Sequence, residues 1–166
     1  MRDQMEERET PEGIWRFHDY LEPDPRIESF VVLIREARNV RVHAYAPYSK
    51  FAVGAAVRMD DQISRGCNVE NASYGGTVCA ERSAILRGVA KGHRGLDLVA
   101  ISTTSSNEED PALRAPCGFC RQVISEFARP DALIVLDAGD SDSGKVVGDV
   151  YSFENLLPLR FRLRSS

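Results

Sequence analysis

The chain has 166 residues, 43% of them hydrophobic and 28% charged, with a formal net charge of -4. That is enough for one domain with a substantial core and does not demand two, and the negative balance argues against a backbone-driven nucleic-acid binder, which needs a basic face. No apolar run reaches membrane length and the charged start from Met1 to Glu12 is unlike a signal peptide, so a cytoplasmic protein without membrane contact is expected.

Residues 1–25 are rich in Glu, Asp and Arg and are broken by Pro11, Pro23 and Pro25, which predicts a largely flexible N-terminal extension and leaves 26–166 as the folded domain. Trp15, Phe17 and Tyr20 are the exception. Three such side chains seldom stay solvated in one short segment, so they are expected to dock on the body of the protein or on a neighbouring subunit. Ile27, Phe30, Val31, Ile34, Ala37 and Val40 recur at helical spacing, predicting an amphipathic helix over 27–44 that Pro47 ends. A strand over 51–59 follows, with an antiparallel partner over 62–70 across Asp60-Asp61. Side chains two apart on a strand share a face, so Asn68 and Glu70 point one way while Cys67 and Val69 point the other. An amide beside a carboxylate can hold a hydroxyl through donor and acceptor together, or can simply be the solvated face of an edge strand.

A helix over 78–91 stops at Gly92, and the apolar run 96–104 reads as a strand inside a sheet. The polar loop 105–115 delivers a second helix over 118–129, which ends before Pro130. A buried strand over 132–137, a flexible turn over 138–144 and a short strand over 145–151 come next, and Ser152 caps a helix over 153–157. The final segment, 159–164, alternates apolar and basic residues and predicts a strand with one wet face. Its three arginines do not outweigh the acidic balance as an RNA-binding tail.

The chemistry concentrates in Cys79-Ala80-Glu81-Arg82 and Pro116-Cys117-Gly118-Phe119-Cys120. Three thiols in these positions suit a catalytic zinc, which keeps three protein ligands and leaves the fourth position for water. Each stands at the start of a helical stretch, where the helix dipole favours the thiolate that a metal requires. Glu81, two residues past the first thiol, is too close to bind the same ion and well placed as a general acid and base. Two blander arrangements share these residues: a pair of buried cysteine-bearing helices with a solvated Glu81, and a structural zinc module for assembly in which Glu81 has no task. Cys67 is left over as a small buried apolar residue, and His18, His43 and His93 have no other ligand type at zinc spacing.

The two motifs resemble the cytidine deaminase superfamily, whose signature is H-x-E…P-C-x-x-C, with Cys79 here in the histidine position as in the three-cysteine variety. Ala46-Pro47-Tyr48-Ser49-Lys50-Phe51, Val53-Gly54-Ala55-Ala56 and Gly66-Cys67-Asn68-Val69-Glu70-Asn71-Ala72 resemble the small homotetrameric cytidine deaminases of pyrimidine salvage. The likeness runs from Ile27 to Phe161. It implies a three-layer α/β/α sandwich with a mixed five-stranded sheet, and one zinc per subunit on Cys79, Cys117 and Cys120. It implies hydrolytic deamination of cytidine and deoxycytidine to uridine and deoxyuridine, with Glu81 moving the protons. Asn68 and Glu70 then bind the ribose, Phe51, Tyr48 and Ala80 line the nucleoside pocket, and Arg82 hydrogen-bonds a zinc-bound sulfur and draws charge from it. Phe161 stacks on the base from a neighbouring subunit of a homotetramer with shared active sites. The N-terminal extension is a departure from the family. Blasticidin S deaminase has similar zinc motifs; Asn68, completing the ribose pair, favours the ordinary nucleosides.

Overall fold

Alternation of apolar side chains along central strands builds a sheet with two buried faces, and helices cover both. The computed structural model describes residues 14–19, 25–139 and 144–163. In chain order the elements are β1 (Ile14–His18), α1 (Pro25–Arg41), β2 (Val53–Met59), β3 (Gln62–Cys67), α2 (Ala80–Ala90), β4 (Leu96–Thr103), α3 (Gly118–Phe127), β5 (Ala128–Asp137), β6 (Val147–Ser152) and α4 (Phe153–Leu156). The strands form one mixed sheet in the order β1-β6-β5-β4-β2-β3, in which the β4–β5 pair is parallel and the others antiparallel. On β2, Ala55, Val57 and Met59 join Ala84, Ile85 and Ile124 of α2 and α3, while Ala56 joins Phe30, Leu33 and Ile34 of α1. Strand β4 repeats the pattern, with Val99 and Ile101 on one face and Leu98 and Ala100 on the other. The result is an α/β/α sandwich.

The sheet has six strands where five were expected, and the addition is β1. It lies inside the stretch expected to be flexible. Phe17 is fully buried, 5.5 Å from Phe30 between ring centres, and Trp15 sits 5.6 Å from Phe30. Burying an aromatic cluster this large outweighs the local polar composition. Tyr20 and the rest of 1–25, apart from 14–19 and Pro25, lie outside the described residues.

Two close approaches fix the helices that matter for the site. A Cβ on Gly54 of β2 would lie 2.1 Å from the Ala37 carbonyl of α1, and one on Gly66 of β3 would lie 2.4 Å from the Ala84 nitrogen of α2. Glycine there lets both helices rest directly on strand backbone. The β2–β3 hairpin turns on Asp60 and Asp61, with φ of 48° and 60°, the left-handed pair that a two-residue hairpin needs.

Several boundaries differ from expectation. Strand β3, expected over 62–70, ends at Cys67, and Val69 pairs beyond it through isolated bridges to Tyr45 and Val78. Helix α1 stops at Arg41, before the 42–44 turn. Helix α3 gives way at Ala128 to β5, which takes in Pro130; a register shift between Leu96 and Leu98 of β4 accommodates this stretch. No strand forms over 159–163. Alternation makes a strand only where a free edge is in reach, and this tail is held to α3 by a bond from Gln122 Nε2 to the Phe161 carbonyl, 3.1 Å. Arg164 lies outside the described residues. Among the described residues no helix is long and apolar enough to cross a membrane.

Candidate metal centre

Helices α2 and α3 begin side by side on the same face of the sheet, and each begins with a cysteine. Cys79 is the residue before α2 and Cys117 the residue before α3; neither side chain caps its own helix, so both sulfurs are free to turn elsewhere. Cys120, one turn into α3, is buried. The three sulfurs lie within 4.8 Å of one another.

Their electrostatics explain why this arrangement asks for a cation. The adjacent Cys120 sulfur, with help from Arg82, takes the Cys79 thiol down to about 5. Cys120 is pushed strongly upward in turn, first by Cys79, then by burial and by Glu81. Three thiolates this close repel one another and need a bound positive charge. A tetrahedral ion accepting soft sulfur donors fits, and zinc is the ordinary one. Cys79, Cys117 and Cys120 would hold it, and three protein donors would leave a position for water.

Glu81 lies in the first turn of α2 and is 5% exposed. Burial, followed by repulsion from the Cys79 thiolate, pushes its carboxyl up to about 7, and Cys120 is its hydrogen-bonding neighbour. Arg82 turns the other way. Its Nη2 donates to the Thr77 carbonyl at 2.7 Å and lies 3.6 Å from the Cys79 sulfur, while its guanidinium rests 4.4 Å over the Phe119 ring. Ala80 is fully buried between Cys79 and Glu81.

The other expected site residues gather on the adjoining strand end. Val69 and Val78 exchange backbone bonds of 2.9 and 3.0 Å, which sets the 68–70 segment beside Cys79. Asn68 is buried and spans its own neighbours, accepting from the Val53 amide at 2.8 Å and donating to the Phe51 carbonyl at 2.8 Å. Glu70 accepts from the Tyr48 and Ser49 amides at 2.9 and 3.2 Å and from the Ser49 hydroxyl. These bonds, the Ser49 hydroxyl first, lower the Glu70 carboxyl below its usual range. Tyr48 is exposed and Phe51 half-buried. Phe161 is 67% exposed, away from this group and against α3. Cys67 is half-buried, its thiol facing the His43 carbonyl at 3.5 Å.

The profile described as "Cytidine and deoxycytidylate deaminase zinc-binding region" matches residues 28–136. The chain belongs to this family. A cytidine deaminase of Halalkalibacterium halodurans is 41% identical over 133 residues, 78% of this chain and 92% of that protein. A crystal structure of a Burkholderia pseudomallei cytidine deaminase superposes with a TM-score of 0.66 at 41% identity, covering 78% of this chain and 97% of that one. The blasticidin-S deaminase of Bacillus cereus is 35% identical over 117 residues, 68% of this chain and 79% of that protein. Membership agrees with the three-sulfur donor set and makes zinc the cofactor of the deaminase domain.

Sequence reasoning gave no role to three residues that contact this group. Phe119, between the two cysteines, supplies the surface on which Arg82 lies. Arg121 donates to the Pro116 carbonyl at 2.8 Å and to the Leu156 carbonyl at 2.9 Å, tying the start of α3 to α4. Ser49 orders Glu70. An aromatic inside C-x-x-C was a readable signal for the first; nothing in spacing announces the other two.

Proposed function

We propose that the chain catalyses the zinc-dependent hydrolytic deamination of cytidine and deoxycytidine to uridine and deoxyuridine, with release of ammonia. The observation that carries this reading is a set of three converging thiols with one buried carboxylate, Glu81, two residues past the first. When bound, zinc supplies the Lewis acidity that turns water into a nucleophile near neutral pH. Glu81 carries one proton of the water to N3 of the pyrimidine as its oxygen adds to C4, and then carries the second, from the hydroxyl so formed, to the departing amine as the C4–N bond breaks. Arg82 draws negative charge from the Cys79 sulfur through its Nη2 contact.

Asn68 and Glu70 are the proposed ribose contacts, with Phe51, Tyr48 and Ala80 lining the base pocket. The Val69–Val78 bridge supports this, because it joins their segment to the residue before Cys79. The unit that carries the reaction is 26–166, to whose sheet β1 adds an edge. Phe161 is proposed to stack on the base in a neighbour's site within a homotetramer, and the exposure of Leu159, Phe161 and Leu163 supports a surface completed by another subunit. We place the enzyme in cytoplasmic pyrimidine salvage, with no nucleic-acid or membrane partner.

The test is turnover of cytidine and deoxycytidine by the zinc-loaded protein, followed by ultraviolet absorbance and ammonia release, with blasticidin S and free cytosine alongside. Conversion of both nucleosides, lost on chelation, is expected. No turnover by folded protein carrying one zinc per chain would sink the substrate assignment. The likeness to a blasticidin-S deaminase gives the second reading, and conversion of blasticidin S alone would select it.

A further inference from the structure

Arg114 heads the fully buried side chains by size, 1% exposed, and stands three residues before Cys117 in the loop between β4 and α3. A guanidinium does not lose its charge when buried, so it must be held. Its Nη1 donates to the Asp137 carbonyl at the end of β5, 3.1 Å, and its Nη2 to Asp149 Oδ2 on β6, 3.0 Å. Asp149 is thus the one carboxylate that meets the buried charge of Arg114, beside the Asp137 and Glu109 carbonyls. Asp149 is itself 6% exposed and is gripped from the other side by Arg16, Nε to Oδ1 at 2.6 Å and Nη2 to Oδ2 at 2.9 Å. Arg16 and Asp149 are direct cross-strand partners in the β1–β6 pair. Arg16 lies outside the 28–136 region that the family profile matches, on the strand that makes the sheet six-stranded.

We infer that Arg16 is a positioning residue for the metal centre: by fixing Asp149 it fixes Arg114, and through Arg114 the loop that places Cys117. This rests on the zinc reading above. A two-point guanidinium contact sets the plane of a carboxylate as well as its charge, and here it leaves Oδ2 aimed at Arg114. Without Arg16, Oδ1 loses its partner and the carboxylate can rotate. Arg114, shut off from water, must follow it. The exposed Cys117 is the ligand most open to such a shift, because Cys120 is buried within α3 and Cys79 is half-buried.

The full-length, zinc-loaded protein and its Arg16→Gln and Arg16→Lys variants are mixed with a chromogenic chelator, and the rate of zinc transfer is recorded beside the thermal midpoint. The thermal midpoint shows which variants remain folded, and release rates are compared below it. Zinc should leave Arg16→Gln about tenfold faster, the low end for residues that hold metal ligands in place, with partial recovery in Arg16→Lys. Arg65→Gln, which breaks an ion pair to Glu36 elsewhere on the surface, should release zinc at the original rate. In an Asp149→Asn background, Arg16→Gln should add nothing. Unchanged release from Arg16→Gln, equal acceleration by Arg65→Gln, or full additivity with Asp149→Asn would each overturn the inference. A wild-type chain that binds no zinc would instead overturn the metal reading beneath it.

Discussion

Of the buried carboxylates among the described residues, Asp137 and Glu81 are held under opposite terms. Asp137, at the end of β5 and fully buried, receives Arg38 through both oxygens at 2.7 and 2.8 Å, the Ser102 hydroxyl at 2.7 Å and the Gly139 amide at 3.2 Å. Glu81, almost as deep, forms no ion pair with arginine or lysine among the described residues, and its neighbours are sulfurs. Asp137 has a cationic partner; Glu81 has none among the described residues. A buried carboxylate paired with a cation holds a fold together, whereas one without that pairing gains proton affinity and is available for proton transfer. The first belongs to the α1 side of the sheet and the second to the face where α2 and α3 begin.

The comparison breaks most visibly at Glu81. Glu81→Gln keeps the shape and removes the proton carrier, so turnover should fall by about 10³- to 10⁴-fold. Zinc content and thermal midpoint should stay near those of the parent, measured by metal analysis and a melting curve. A large loss of stability with residual activity would put Glu81 in the same class as Asp137. The reverse holds on the other side. Asp137→Ala strips Arg38 of its buried counter-charge and should cost about 3–5 kcal/mol in denaturant unfolding, with KM unchanged for the fraction that remains folded. An altered KM with stability intact would show that this carboxylate reaches the chemistry.

How far the sequence discloses these roles depends on whether the partner is near in the chain. Cys79, Glu81, Cys117 and Cys120 are readable because their spacing from helix starts dictates the geometry, and the sandwich is readable because β2, β4 and β5 carry plain apolar patterns. Asp137 and Arg38 are 99 positions apart, and Arg16 and Asp149 are 133 apart; no local pattern joins them. The ends of the chain show the same limit. Ile14–His18 and 159–163 both mix aromatic or aliphatic residues with basic ones, yet only the first forms a strand, because β6 offers it an edge and α1 offers Phe17 a face. The aromatic cluster signalled the docking of the first without its pairing to β6, and alternation pointed the wrong way for the second.

Arg82 sharpens the comparison from the cationic side. Arg38 spends its charge on a carboxylate; Arg82 directs its own at a sulfur and a ring, and its buried Nε has no hydrogen-bond partner. A cation so placed contributes little to folding and acts mainly on the charge of Cys79. Arg82→Gln should therefore lower kcat by about 10- to 100-fold while moving the melting midpoint only slightly. Arg82→Lys keeps the charge but cannot lie flat on Phe119 while reaching both Thr77 and the sulfur, so it should recover a minor part of the loss. The pH dependence of kcat is the decisive readout, because a residue that drains charge from the metal's ligands moves the profile and a merely structural one scales it. If Arg82→Gln left both kcat and its pH profile where they were, Arg82 would be an ordinary packing residue over Phe119. The charge of three thiolates would then have to be balanced from elsewhere.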